Sequence, residues 1–169
     1  SVIIEGNEYE GIVPTDLELA NIVALLAKKI NGGEIQEGEK ICDPAAGGGN
    51  LLTAALQQFQ MISPNQIWAN DAEERFKEVL TLRLGLENIS VISPSNSPAV
   101  TSNCITKYTP SDFANVQIVL LNPPYISGVT NSKKKKVIGD KISYLTGGNV
   151  RTLKGQIGLE VPFLELVTA

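Results

Sequence analysis

The sequence has no histidine and only two cysteines in 169 residues. Without histidine, no imidazole is available as a general base. A metal site would have to be built from carboxylates, and no clustered set of them appears. Cys42 and Cys104 each lie in an apolar segment, and Cys42 is assigned, with Trp68, to the core. No apolar run approaches the ~18–20 residues of a membrane span. Ser1 to Tyr9 is short and acidic, unlike a signal peptide, so the chain is expected to be cytoplasmic. Basic charge is also scarce: 14 Lys and Arg stand against 18 Asp and Glu, a net charge of −4. This argues weakly against a nucleic-acid partner. The basic charge is uneven, however, with Lys133, Lys134, Lys135 and Lys136 in one block. The chain opens at Ser1 and stops at Thr168-Ala169 inside an apolar helical pattern. It is expected to be a fragment, with most of the basic surface in the missing part.

What is present suits one globular domain, with 43% hydrophobic and 19% charged residues. Gly11-Ile12-Val13-Pro14 leads extended into a helix capped by Thr15 or Asp16. Leu19, Ile22, Val23, Leu26 and Ile30 recur there at helical spacing, and Gly32-Gly33 stops it. A short strand, Lys40-Ile41-Cys42, runs into Asp43-Pro44-Ala45-Ala46-Gly47-Gly48-Gly49-Asn50. A second helix follows, with Leu51, Leu52, Ala55, Leu56 and Phe59 on one face. Gln66 to Ala69 reads as a second strand ending at Asn70-Asp71. A third helix carries Phe76, Val79, Leu80 and Leu84 and ends near Gly85. A third strand is either Asn88 to Ile92 or Cys104 to Tyr108, and Val116 to Leu121 is a fourth. Residues 126–158 show no clean period and read as a loop; Leu159 to Val167 begins another helix. Strands alternating with helices predict a parallel sheet with helices on its faces.

The fourth strand feeds Asn122-Pro123-Pro124-Tyr125. Two prolines end the ladder at once, because neither can donate to it. The residues before them are pushed to extended geometry. The result is a stiff loop at the carboxyl edge of the sheet, where open α/β sheets bind ligands. The Asn122 side-chain oxygen and the Pro123 carbonyl are two acceptors side by side. Such a pair can hold both hydrogens of a planar amine and direct its lone pair toward an electrophile. Tyr125 offers a face for a heteroaromatic ring. The structural alternative is a turn that closes a strand over a core tyrosine.

The Asp43-to-Gly49 turn has the form of a nucleotide-binding loop between a strand and a helix. Gly47 and Gly49 let a ligand approach the backbone, and the following helix N-terminus is electropositive. Asp43 at the strand end disfavours a phosphate and favours a cation such as an ammonium. Asp71 ends the second strand roughly 20 residues beyond the glycines, where an acid grips a ribose hydroxyl pair in nucleoside-binding sheets. Together the two acids describe a nucleoside bearing an amino acid, which is the make-up of S-adenosylmethionine. A glycine-rich βα turn and a helix-capping acid are the plain alternatives.

With these residues in this order, the chain resembles the amino-methyltransferases that modify adenine in DNA, in the arrangement with cofactor motifs ahead of the catalytic one. The catalytic motif of that family, Asn/Asp-Pro-Pro-aromatic, is matched by Asn122, Pro123, Pro124 and Tyr125. Its cofactor loop, Asp-Pro-x-x-Gly-x-Gly, is matched by Asp43 to Gly49, Ala45 included; its strand-end acid is matched by Asp71. The segment around Thr15 is similar to the one that closes over the methionine carboxylate, with Asp16 where the family has proline. Leu159 to Glu165 resembles the helix whose phenylalanine, here Phe163, edges the cofactor adenine. The family places an acid after the third strand; Ser95, Asn96, Thr106 and Asp112 are the candidates, and Asp112 is carried as the cofactor residue.

The resemblance implies a Rossmann-like methyltransferase fold, a partial doubly wound, mostly parallel sheet in the order 3-2-1-4. It implies one catalytic domain over residues 1–169, lacking the later strands and the target-recognition domain. It further implies methyl transfer from S-adenosylmethionine to a flipped adenine in DNA within a modification or restriction-modification system, the Lys133–Lys136 block meeting phosphates. Similar loops serve methylation of RNA bases and of protein glutamine amides. A non-catalytic cofactor-binding module is the remaining alternative, and the fragment, without the later strands and the target-recognition domain, could hold cofactor and still fail to methylate.

Overall fold

The computed structural model describes residues 13–71, 75–85, 110–125, 132–148, 150–151, 158 and 160–168. The first helix, α1, spans Leu17–Asn31. Asp16 caps it, its carboxylate accepting from the N–H groups of Glu18 at 2.8 Å and Leu19 at 3.4 Å. Gly32 and Gly33 end it, their N–H groups returning to the carbonyls of Lys29 and Lys28. Strand β1 (Lys40–Asp43) leads through the glycine turn to α2 (Asn50–Gln58). Strand β2 (Ile67–Ala69) leads to α3 (Arg75–Leu84). Then come β3 (Val116–Val119), α4 (Ser132–Thr146) and α5 (Glu160–Thr168).

The three strands form one parallel sheet in the order β2-β1-β3. This is an α/β architecture, and β1 and β3, expected from sequence as first and fourth strands, are neighbours. The expected third strand, at 88–92 or 104–108, lies outside the described residues, as do Ser95, Asn96 and Thr106. β1 and β2 are buried on both faces, as apolar runs in parallel sheets require, whereas β3 exposes Gln117. Ile41, Ile67, Ala69, Ile118 and Leu120 pack with α1, α2 and α3, while Cys42 and Trp68 pack with Ile138 and Ile142 of α4 and Phe163 and Leu166 of α5. Helices therefore cover both faces. Cys42 and Trp68 are core as expected, and the Trp68 ring meets Phe113 edge-on at 5.6 Å.

Two expectations need correction. The apolar stripe of α1 faces outward: Leu19, Ile22, Leu26 and Ile30 are exposed, and the buried positions are Ala20 and Ala24, with Val23 and Ala27 beside them. The period is helical but its phase is set by small residues, which let α1 approach α2 at Ala54 and Ala55. Part of the expected 126–158 loop is helix α4. Ile138 and Ile142, four apart, lie on its buried face with Leu145 packed beside them. The lysine block therefore falls within the first five residues of a helix rather than in a loop; Lys136 is exposed.

Candidate functional site

The ends of β1 and β3 come out of the sheet side by side. The Leu120 N–H donates to the Cys42 carbonyl at 2.8 Å, which ties the chain two residues before Asn122 to the residue before Asp43. The end of β2 is joined just as closely on the other side: Asn70 N–H donates to the Asp43 carbonyl at 3.0 Å, and Ala46 N–H donates to the Asn70 carbonyl at 2.8 Å. Asp43, Asp71 and the Asn122 loop thus leave three adjacent strands at the same edge. Parallel strands impose this, since all carboxyl ends lie together.

Asp43 is 1% exposed. One of its oxygens accepts the Ala45 N–H at 3.0 Å, an Asx-type brace across the start of the turn. Burial, followed by the like charge of Asp71, pushes its carboxyl up to about 8, against the pull of that hydrogen bond. Asp71 is half-buried. Its carboxylate accepts the Gly47 N–H at 2.8 Å and so holds the glycine turn from the β2 side. Gly47 has φ +51°, and a side chain built there would meet no heavy atom within 4 Å. Gly49 has φ +79°, and a Cβ there would stand 2.8 Å from Leu80 Cδ2. The first glycine leaves the turn open above its backbone; the second lets α3 close against it. Ala45 is half-buried within the turn.

Asn122 is half-buried. Its side-chain NH2 donates to the Val13 carbonyl at 2.8 Å and to the Thr15 hydroxyl at 2.9 Å. Pro123 is buried, Pro124 half-buried, and Tyr125 51% exposed. The tyrosine is therefore no core residue; its ring stands at the rim of the sheet edge. Thr15 meets Asn122 through its hydroxyl and accepts from the Asn50 side chain through its carbonyl, at 2.7 Å. Asp112 lies in a short 3₁₀ turn, Pro110–Phe113, ahead of β3; its side chain is outside the described ones. Phe163 is 1% exposed in the layer beneath the sheet, so it belongs to the core rather than to an open site.

Three residues that sequence reasoning missed complete the edge. Asn70 is buried, and its side chain donates to the Pro44 carbonyl at 3.4 Å. Asn50 links the end of the glycine turn to Thr15, and Arg83 of α3 donates to the Gly48 carbonyl at 2.7 Å and to the Asn50 side-chain oxygen. The visible signals were a polar pair at a strand end, Asn70-Asp71, and an amide directly after three glycines.

No protein-family model and no curated protein matches the chain. Solved structures do. The type IIG restriction endonuclease BpuSI is 47% identical, with a TM-score of 0.76 over 96% of this chain and 19% of its own. A protein described as the modification subunit of a putative type I restriction enzyme, from Vibrio vulnificus YJ016, is 19% identical, with a TM-score of 0.55 over 97% of this chain and 31% of its own. DrdV in a cryo-electron-microscopy complex with DNA is 15% identical, with a TM-score of 0.55 over 95% of this chain and 19% of its own. The fold is shared with proteins of restriction-modification systems. The chain spans about a fifth of the length of BpuSI. No helix among the described residues is long and apolar enough to cross a membrane.

Proposed function

We propose that this chain is the cofactor-binding and catalytic part of a restriction-modification enzyme that methylates the exocyclic amine of adenine in DNA, using S-adenosylmethionine. The observation that carries this reading is the juxtaposition of Asp43 and Asn122 at neighbouring strand ends. That juxtaposition is what a methyl donor and an acceptor amine, bound from opposite loops, would need. Of the restriction-modification neighbours, one is a modification subunit and another is 47% identical over nearly the whole of this chain.

The residues present fit the cofactor. The open backbone at Gly47 leaves room for a ligand to approach closely. A carboxylate accepts up to about four hydrogen bonds, so Asp71 can brace Gly47 and still receive ribose hydroxyls. Asp43 stands where a cationic amino-acid tail would stabilise its ionised form. The acid Asp71 at this edge opposes a phosphate ligand and favours a cation. When bound, S-adenosylmethionine supplies an electrophilic methyl group. The chain's own task is positioning. Asn122 and the Pro123 carbonyl accept the amine hydrogens, and the exposed Tyr125 ring stacks the base swung out of the duplex. Lys133 to Lys136 fall within the first five residues of α4, the end where the helix dipole disfavours cations; nearby phosphates would relieve that conflict.

Base-resolved methylation mapping of DNA from cells expressing the intact protein tests the reading. N6-methyladenine at a defined sequence, lost with Asn122→Ala while S-adenosylmethionine still binds, supports it. Methylation of RNA or protein alone would redirect the substrate assignment, and no cofactor binding would remove the reading altogether.

A further inference from the structure

The Asn122 amide is oriented by residues more than a hundred positions earlier in the chain. A side-chain amide has one end that donates and one that accepts, and its two orientations are near-isosteric. Here the choice is forced. The Val13 carbonyl can only accept, so only the NH2 end of Asn122 can meet it at 2.8 Å. The second hydrogen of that NH2 goes to the Thr15 hydroxyl at 2.9 Å. Both donors are spent on the segment ahead of α1, and the Asn122 oxygen is turned away from it. An amide held in this way can act on a substrate only as an acceptor.

Thr15 is itself held. Its carbonyl accepts from the Asn50 amide at 2.7 Å, and the Asn50 oxygen accepts from Arg83, which also donates to the Gly48 carbonyl at 2.7 Å. A continuous chain of hydrogen bonds therefore runs from α3 through the glycine turn and Asn50 to Thr15 and on to Asn122.

We propose that Thr15 is a positioning residue that locks the Asn122 amide with its oxygen toward the acceptor amine, and so ties the catalytic loop to the glycine turn. This rests on the methyltransferase reading above, and differs from a role for Thr15 as a direct cofactor contact. Thr15→Val keeps the volume and removes the hydroxyl acceptor; Thr15→Ser keeps the hydroxyl. Losing one neutral hydrogen bond that matters in the transition state lowers kcat by about fivefold to tenfold. In the intact protein, T15V is expected to lose that much turnover with S-adenosylmethionine affinity changed less than about twofold, and T15S to recover most of it. Asn122→Asp should be poorly tolerated, because a carboxylate oxygen would then face the Val13 carbonyl.

A readout independent of turnover accompanies this. In cofactor-free protein labelled with [15N]asparagine, T15V should shift the Asn122 side-chain NH2 resonances, identified by their loss in Asn122→Ala, and speed exchange of one proton. Turnover per folded molecule unchanged in T15V, or weakened cofactor binding with kcat retained, overturns the proposal. Unmoved Asn122 resonances overturn it as well. A wild-type protein that neither binds cofactor nor methylates, with the resonances moving as expected, shows instead that the geometry is right and the functional reading wrong.

Discussion

With Asp43 receiving the cofactor's ammonium as proposed, cofactor binding is expected to depend on pH in a direction that follows from the burial of this carboxyl. In the folded protein its carboxyl titrates at about 8, raised from an ordinary value of 3.8 by loss of solvent and by the neighbouring Asp71. At neutral pH it is therefore mostly protonated. A ligand that places an ammonium beside it selects the ionised form, so the apparent dissociation constant is divided by the ionised fraction. Well below the carboxyl pKa, that fraction rises nearly tenfold per pH unit, so affinity should tighten by roughly 20-fold between about pH 6 and 7.5. The upper limit of this window avoids the ligand's own α-amino group, which ordinarily titrates near ~7.7–8.0. Close to one proton should leave the complex per cofactor bound at about pH 6.5. Titration calorimetry in two buffers of different ionisation enthalpy reads that proton directly.

Asp43→Asn is the decisive comparison. The amide oxygen can still accept the Ala45 N–H, so the brace survives while the titration disappears. The variant should bind more weakly at pH 7.5 and show no pH slope. Its stability should move the other way. Between the unfolded value of 3.8 and the folded value of about 8, the native state holds a proton that the unfolded state has lost. Stability from this group is therefore full below the unfolded pKa and drains away as pH rises to the folded one, by on the order of 5 kcal/mol at full ionisation. Asp43→Asn should flatten that decline and melt higher than wild type at pH 8. Equal pH slopes in wild type and variant, or no proton release, would refute the assignment of Asp43 to a cationic ligand.

Other consequences are as direct. Asp71→Ala should weaken S-adenosylmethionine binding about tenfold or more, from the ~1.5–3 kcal/mol of a charge-assisted hydrogen bond; calorimetry on the folded variant checks this, and unchanged affinity removes Asp71 from the site. Gly49→Ala forces a Cβ to 2.8 Å from Leu80 Cδ2 in a left-handed conformation, so it should cost about 1–3 kcal/mol, read as a lowered Tm, whereas Gly47→Ala, with open space, should cost less. Tyr125→Phe should keep most methyl transfer and Tyr125→Ala should lose it, since stacking needs the ring and not the hydroxyl; equal losses in steady-state assays count against stacking. Replacing Lys133 to Lys136 by glutamine should flatten the dependence of log affinity for DNA on log salt by about 0.9 for each phosphate no longer neutralised.

How far the sequence carried this reading depended on what kind of signal each element sent. β1, β2 and β3 were legible because short apolar runs ended abruptly in Asp43, Asp71 and Asn122, and polar strand ends are strong local signals. The adjacency of β1 and β3 followed from chemistry, because the two ends were required to face one ligand. The outward stripe of α1 was not legible. Its leucines and alanines repeat with the same period, and only the neighbour decides which face is buried; α2 presents Ala54 and Ala55, and small residues meet small ones. The α4 helix was obscured by its lysine run and by Gly139, which hid a two-residue stripe, Ile138 and Ile142.

The bonds that orient Asn122 belong to a class that no local pattern reveals. Val13 and Thr15 precede α1, Asn50 opens α2, and Asn122 follows β3, so their meeting is a product of the tertiary fold, the sheet order first. Placing β1 between β2 and β3 brings the glycine turn next to the Asn122 loop and leaves the segment ahead of α1 to bridge the two. Asp16 matters here beyond its cap. By starting α1 two residues after Thr15, it fixes where the extended backbone ends, and therefore which carbonyl and which hydroxyl reach Asn122. A proline at that position would have no side-chain acceptor for the N–H groups of Glu18 and Leu19. Asp16 thus assigns the capping of the helix to a side chain, and it leaves the Val13 and Thr15 acceptors directed at the Asn122 loop.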